Sequence, residues 1–80
     1  MDEQLLRTTL KVQRAMRDLT QADLAAKAGV TRKSVNAIET GRMVPSVILA
    51  LKLAHALDVT VETIFSIERA ENADDRRRAV

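Results

Sequence analysis

Two glycines divide the middle of this chain, and they restrict its possible folds more than any other feature. Gly29 and Gly41 are the only glycines, and each follows a run whose apolar residues recur every three or four positions. A glycine readily adopts the left-handed conformation that ends a helix, because it has no Cβ to clash with the backbone. The sequence therefore predicts two short helices, one ending at Gly29 and the next at Gly41.

Residues that cap helices stand at the beginning of both segments. Thr20 precedes the first segment, and Asp23 follows three residues later, close to the pattern of a capping box. Thr31 precedes the second segment with a hydroxyl that can cap it. We predict one helix over residues 21–28 and another from residue 31 to residue 39 or 40, joined by a tight turn as a helix-turn-helix.

Residues that begin or end helices predict three more helices in the same way. The first should cover residues 4–17, with Leu6, Leu10 and Arg14 on one face. A largely apolar helix should follow Pro45 and Ser46 over residues 47–57, and a short fifth helix should follow Thr60. We therefore predict an all-α domain of five helices over residues 1–67. Residues 68–80 form a charged tail without a large apolar residue before Val80, which is typical of a frayed helix or a disordered end.

The helix from residue 31 to residue 40 has a polar and basic outward face. Its apolar residues predict an inward face, whereas Arg32, Lys33 and Asn36 point outward. Four bases and one acid lie from residue 27 to residue 42, a local charge of +3 in a chain whose net charge is +2. Arg and Lys can donate to guanine and Asn can pair with adenine, so these three residues are candidates for reading bases in a major groove.

Shorter or flanking polar residues are candidates for contacts to the DNA backbone. Thr31 and Ser34 are too short to reach far into a groove, and they suit phosphates or a thymine methyl. Gln21 begins a helix, where free backbone N–H groups favour anions, and Arg42 lies just past the end of the next helix. We expect these contacts to orient the protein on duplex DNA without selecting its sequence.

Composition disfavours several other classes of function. Phe65 is the only aromatic residue, whereas proteins that bind single strands stack bases on aromatic rings. His55 is the only histidine and cysteine is absent, so no zinc site is expected. No nucleophile stands beside the histidine and no glycine-rich phosphate loop occurs, so we expect neither catalysis nor a cofactor. No signal peptide or membrane span is evident, and we expect a cytoplasmic protein without membrane contacts.

Several stretches together resemble the Cro/Xre family of phage-repressor-like transcriptional regulators. They are LTQADLA at residues 19–25, AGVTRKSVNAIETGR at 28–42, Pro45-Ser46, LALKLA at 49–54 and Ile64-Phe65, and the spacing is kept from about residue 5 to residue 67. The resemblance implies a five-helix lambda-repressor-like fold with the third helix in the major groove. It implies that Gln21 binds phosphate and that the DNA is faced by Thr31, Arg32, Lys33, Ser34 and Asn36.

The resemblance also implies an ion pair between Arg14 in the first helix and Glu39 at the end of the third. The residues themselves favour this pair, because Glu39 is the only acid in the basic stretch and Arg14 shares the predicted face of two leucines. Such a pair would set the angle of the reading helix.

One short reading helix contacts few base pairs, so we expect a homodimer on an inverted-repeat operator. Phe65, Ile67 and Ile48 are the candidates for the dimer surface. Two alternatives stay open at this point. The chain could be an antitoxin that binds a toxin protein and autoregulates its operon, or a plain helical bundle whose Arg32 and Lys33 are ordinary solvated charges.

Overall fold

The computed structural model describes residues 4–69, which form five helices and one two-stranded sheet. The five predicted helices are confirmed, and the sheet is an addition to them. Residues 70–80 of the predicted tail lie outside the described residues, whereas residues 68 and 69 belong to the second strand. No described helix has the length and hydropathy of a membrane span. In chain order the elements are β1 (Gln4–Thr8), α1 (Leu10–Met16), α2 (Gln21–Ala28), α3 (Arg32–Glu39), α4 (Val47–Leu57), α5 (Val61–Ile64) and β2 (Phe65–Arg69).

The prediction of a first helix over residues 4–17 is wrong in its first turn and a half. Residues 4–8 form β1, which pairs antiparallel with β2, and α1 begins only at Leu10. Leu6 lies opposite Ile67 and Thr8 opposite Phe65 in this sheet. Leu6 and Leu10 therefore do not share a helix face. A helical repeat of apolar residues cannot reveal a partner strand that lies at the other end of the chain.

Two consecutive threonines make the transition from β1 to α1. The hydroxyl of Thr8 accepts a hydrogen bond from the backbone N–H of Leu10 at 3.0 Å, at the start of the helix. Thr9 donates its backbone N–H to the carbonyl of Ile64 at 3.0 Å and its hydroxyl to the carbonyl of Thr63 at 2.8 Å. The beginning of α1 is thus fastened to the end of α5.

Helices α2 and α3 have the predicted caps. The Thr20 hydroxyl accepts from the N–H of Asp23, and the Asp23 carboxylate accepts from the N–H of Thr20, which completes the capping box. Gly29 ends α2 in the left-handed conformation with φ of 75°. The Thr31 hydroxyl then accepts from the N–H of Ser34 at 3.0 Å and begins α3. The predicted bounds of α2 are confirmed.

We expect Thr31→Ala to lower the free energy of unfolding by about 0.5–2 kcal/mol, because the N–H of Ser34 loses its acceptor. Urea unfolding followed by circular dichroism measures the change. Thr31→Ser is the matched control, since it keeps the hydroxyl and should stay close to the wild type. Equal stability of the alanine and serine variants would contradict the capping role.

The core lies where α4 packs against α2 and α5. Ser46 caps α4 through the N–H of Leu49 at 3.0 Å, and Asp58 ends the helix with φ of 59°. The prediction of a mostly apolar α4 from residue 47 to residue 57 is confirmed, although the side of the helix that carries Val47 and Ile48 is exposed. The most fully buried side chains are Leu10, Leu24, Val35, Ile38, Leu53, Leu57 and Ile64.

Candidate nucleic-acid interface

Helix α3 lies on the surface with its apolar side turned inward. Val35 and Ile38 are 0% and 2% exposed, whereas Arg32, Lys33 and Asn36 are all exposed. Val35 and Ile38 are three residues apart and Arg32 and Asn36 four apart, so each pair follows its own side of the helix, one buried and the other exposed. The first turn of α3 contains no acid. The exposed side of α3 therefore presents a guanidinium, an ammonium and an amide close together.

A largely buried ion pair attaches α3 to α1. Arg14 donates from Nε to Oε2 of Glu39 at 2.7 Å and from Nη2 to Oε1 at 3.1 Å. The two side chains are 14% and 3% exposed, respectively. Arg14 also donates from Nη1 to the carbonyl of Leu19 at 2.8 Å, in the loop before α2. Because the contact is bidentate, it fixes the orientation of α3 as well as its distance from α1.

Gln21 extends this contact from the interior to the exposed side of α3. Its Nε2 donates to Oε1 of Glu39 at 2.9 Å and to Oδ1 of Asn36 at 3.1 Å. The four side chains therefore form one connected set, here called the polar network: Arg14, Gln21, Asn36 and Glu39. The network holds the amide of Asn36 in one orientation. Gln21 occupies the Oδ1 atom of this amide, so the two N–H donors on Nδ2 of Asn36 are not used by Gln21.

Sequence reasoning missed the link between Gln21 and Asn36. It assigned Gln21 to a phosphate, which stays a prediction, but both N–H donors of its amide are used within the chain. The only local signal is that Asn36 and Glu39 lie three residues apart and so share a face of α3. Finding their partner on α2 requires the packing angle between two helices, which the sequence does not contain.

The residues expected at the DNA backbone lie at helix ends. Arg42 is exposed just after α3, and its backbone N–H donates to the carbonyl of Ala37 at 2.8 Å. Thr31 is exposed and Ser34 is half-buried, and the Thr31 hydroxyl donates to Oγ of Ser34 at 2.9 Å. Gln21 is the first residue of α2, where the backbone N–H groups of a helix lack partners within it.

The expected dimer residues differ in exposure. Ile48 is 67% exposed and Ile67 is 62% exposed, so both can meet another molecule. The expectation must be corrected at Phe65, which is 8% exposed and belongs to the hydrophobic core. Phe65 follows directly after α5, and its side chain packs in the core while it also lines an apolar depression together with Leu6 and Val47.

The charge of Glu39 depends on its partners. Burial acts to raise the pKa of this carboxyl, but the hydrogen bonds from Arg14 and Gln21 and the charge of Arg14 outweigh that effect. The pKa of Glu39 therefore lies below its ordinary value. The hydrogen bond to Glu39 in turn raises the pKa of Arg14, which stays protonated. Both groups are charged at neutral pH, as the ion pair requires.

This shift makes part of the stability pH-dependent. Because the pKa of Glu39 is lower in the folded state, its contribution is complete above the unfolded pKa of about 4.3 and is lost as the pH falls through the folded pKa. We expect wild type to exceed Glu39→Gln in unfolding free energy by more at about pH 7 than at about pH 3. Urea unfolding of both proteins at each pH measures this, and a constant difference would contradict it.

The chain is similar to a known family of proteins. A family model described as "Helix-turn-helix" matches residues 10–64. The chain is 46% identical over 66 residues to an uncharacterized HTH-type transcriptional regulator of Methanocaldococcus jannaschii, covering 82% of this chain and 100% of that protein. It is 40% identical over 63 residues to an uncharacterized HTH-type transcriptional regulator of Bacillus subtilis, covering 79% of this chain and 96% of that protein.

A solved structure agrees with these relatives. The restriction-modification controller protein C.AhdI from Aeromonas hydrophila superposes with a TM-score of 0.65 at 35% identity, covering 68% of this chain and 82% of that one. The matched region contains α2 and α3 together with the helices that pack against them. The chain therefore belongs to the Cro/Xre, phage-repressor-like family of helix-turn-helix transcriptional regulators, which bind DNA.

Proposed function

We propose that this chain is a sequence-specific regulator that reads the major groove of double-stranded DNA with α3. The observation that carries the proposal is the exposed polar face of α3, which the polar network attaches to α1 and α2. A major groove about 12 Å wide admits one helix, and long side chains on its outer face reach the base edges. The similarity to a restriction-modification controller protein supports a regulatory role.

The proposed contacts divide by reach. Arg32, Lys33 and Asn36 are exposed on α3 and contact bases. The second set contacts the DNA backbone: Gln21, Thr31, Ser34 and Arg42. For Gln21 the proposed donor is the backbone N–H at the start of α2, since its side-chain amide is engaged by Asn36 and Glu39.

We further propose a homodimer that represses transcription from an inverted repeat, because a bound dimer excludes other proteins from the same DNA. Exposed apolar side chains beside the sheet support a self-contact there. Leu6 is 39% exposed and faces Ile67 across the strands, and Val44 and Val47 are 76% and 75% exposed. Leu6, Val44 and Val47 line one apolar depression of about 150 Å³. A largely apolar patch is typical of homodimer interfaces.

Selection of bound sequences from random duplexes, run at two salt concentrations, tests this function. We expect a two-fold symmetric sequence whose half-sites are centred about one helical turn, ~34 Å, apart. Binding should weaken as salt rises, because phosphate contacts release counterions. Enrichment of no sequence at low salt would contradict the proposal, and enrichment of a single half-site would contradict the dimer. The antitoxin alternative is tested separately, and co-purification of this chain with a second small protein would favour it.

A further inference from the structure

A second surface feature lies between the end of α2 and the outer side of α4, and the proposed DNA contacts do not use it. It is an open groove of about 440 Å³, here called the α2–α4 groove. Ile48 and Leu51 form its apolar part and are 67% and 54% exposed. Exposed isoleucine and leucine side chains in one groove are typical of an interaction site.

The charges around the α2–α4 groove are of one sign. Lys27 and Lys52 line it, together with His55, and its lining contains no acid. Neither lysine has an ion-pair partner among residues 4–69. An apolar floor bordered by two unpaired ammonium groups is complementary to a segment that carries apolar side chains next to carboxylates.

The same charges disfavour a second copy of this chain as the occupant, and with it the expected place of Ile48 in the dimer surface. In a two-fold contact the same surface meets itself, so the groove lysines of one copy would approach those of the other. Like charges brought together at an interface oppose association. The apolar depression beside the sheet has no charged residue in its lining and suits a self-contact better.

We propose that the α2–α4 groove binds an acidic amphipathic helix of a partner protein. Such a helix places apolar side chains three or four residues apart into a hydrophobic groove. Its flanking carboxylates pair with Lys27 and Lys52, while its apolar side chains contact Ile48 and Leu51. The groove gives the regulator a second binding surface, through which a protein could act on it while α3 remains available to DNA.

The test uses two synthetic helical peptides with the same leucine spacing, one flanked by glutamates and the other by lysines. Their binding to the isotope-labelled protein is followed by backbone amide chemical shifts in the absence of DNA. We expect the acidic peptide to bind at least about fivefold more tightly, because two ion pairs replace two repulsions. The shifts should be confined to the end of α2 and to α4.

Two variants sharpen the result. Lys27→Glu combined with Lys52→Glu should reverse the preference between the peptides, whereas Leu51→Ser should weaken the binding of both. Circular dichroism verifies that each variant is folded, and sequence selection on duplex DNA should be unchanged for both. Equal affinity for the two peptides, no binding of either, or shifts centred on α3 would overturn the proposal. So would concentration-dependent shifts of the groove residues in the protein alone, which would identify a second copy as the occupant.

Discussion

Replacing Glu39 by alanine should lower the free energy of unfolding by about 3–5 kcal/mol, the largest stability effect expected from one polar substitution here. The Glu39 side chain is 3% exposed, and its removal leaves the Arg14 side chain, which is 14% exposed, without a counter-charge. The amide of Gln21 loses one of its two acceptors in the same step. Domains of this size are stable by only about 5–15 kcal/mol, so the variant should unfold at much lower urea concentration.

Glu62→Ala is the matched control, because Glu62 is an exposed glutamate in the first turn of α5. It should change stability by less than about 1 kcal/mol. The double variant Arg14→Met with Glu39→Leu separates the two causes of the loss. If the unpaired buried charge dominates, the double variant should recover much of the stability that Glu39→Ala loses, since both charges are gone. Unfolding of Glu39→Ala at the wild-type urea concentration would contradict the importance of the pair.

Substituting Arg32 or Asn36 by alanine should weaken binding to the selected DNA sequence by about 1–3 kcal/mol each and relax the preference at one base position. Both side chains are exposed, and Asn36 loses one exposed hydrogen bond from Gln21, so the fold should be little affected. Binding to the selected duplex and to single-base variants of it, measured by fluorescence anisotropy, gives the affinity and the preference together. Lys52→Ala removes an exposed cation from α4 and serves as the control for charge.

Gln21→Ala distinguishes two roles for that side chain. A phosphate contact affects all sequences alike, so its loss should weaken binding uniformly. If the Gln21 side chain instead orients Asn36, Gln21→Ala should relax the preference at the one base position that Asn36 contacts. Adding Asn36→Ala to Gln21→Ala should then have little further effect. The hydrogen bond between the two amides favours the second result. A uniform loss, additive with that of Asn36→Ala, would contradict it.

The parts of the fold that could be predicted from the sequence are those specified locally. Thr20, Gly29 and Thr31 define the turn through bonds and backbone angles within a few residues, and the bounds of α2 and α4 follow from such signals. The start of α1 could not be predicted this way, because residues 4–8 pair with residues 65–69. The apolar spacing of Leu6 and Leu10 fits a helix, but the tertiary contact determines the outcome.

The candidate site divides in the same manner. The exposure of Arg32, Lys33 and Asn36 follows from helical periodicity once Val35 and Ile38 are turned inward. The bond from Gln21 to Asn36 depends on how α2 and α3 cross, and the burial of Phe65 depends on the path of the chain after α5. These features belong to the three-dimensional arrangement and have no local signature.

The pairing of β1 with β2 affects how the protein is made. β1 is synthesised before all five helices and β2 after them, so the two strands can pair only once the helices between them have been made. Contacts between distant parts of a chain slow folding, because a long loop must close first. The residues of the helix-turn-helix are therefore synthesised before the sheet can close, and the apolar depression beside the sheet needs both strands, because Leu6 and Phe65 both line it. Dimer assembly at that depression, as proposed above, would thus require that the two strands have already paired.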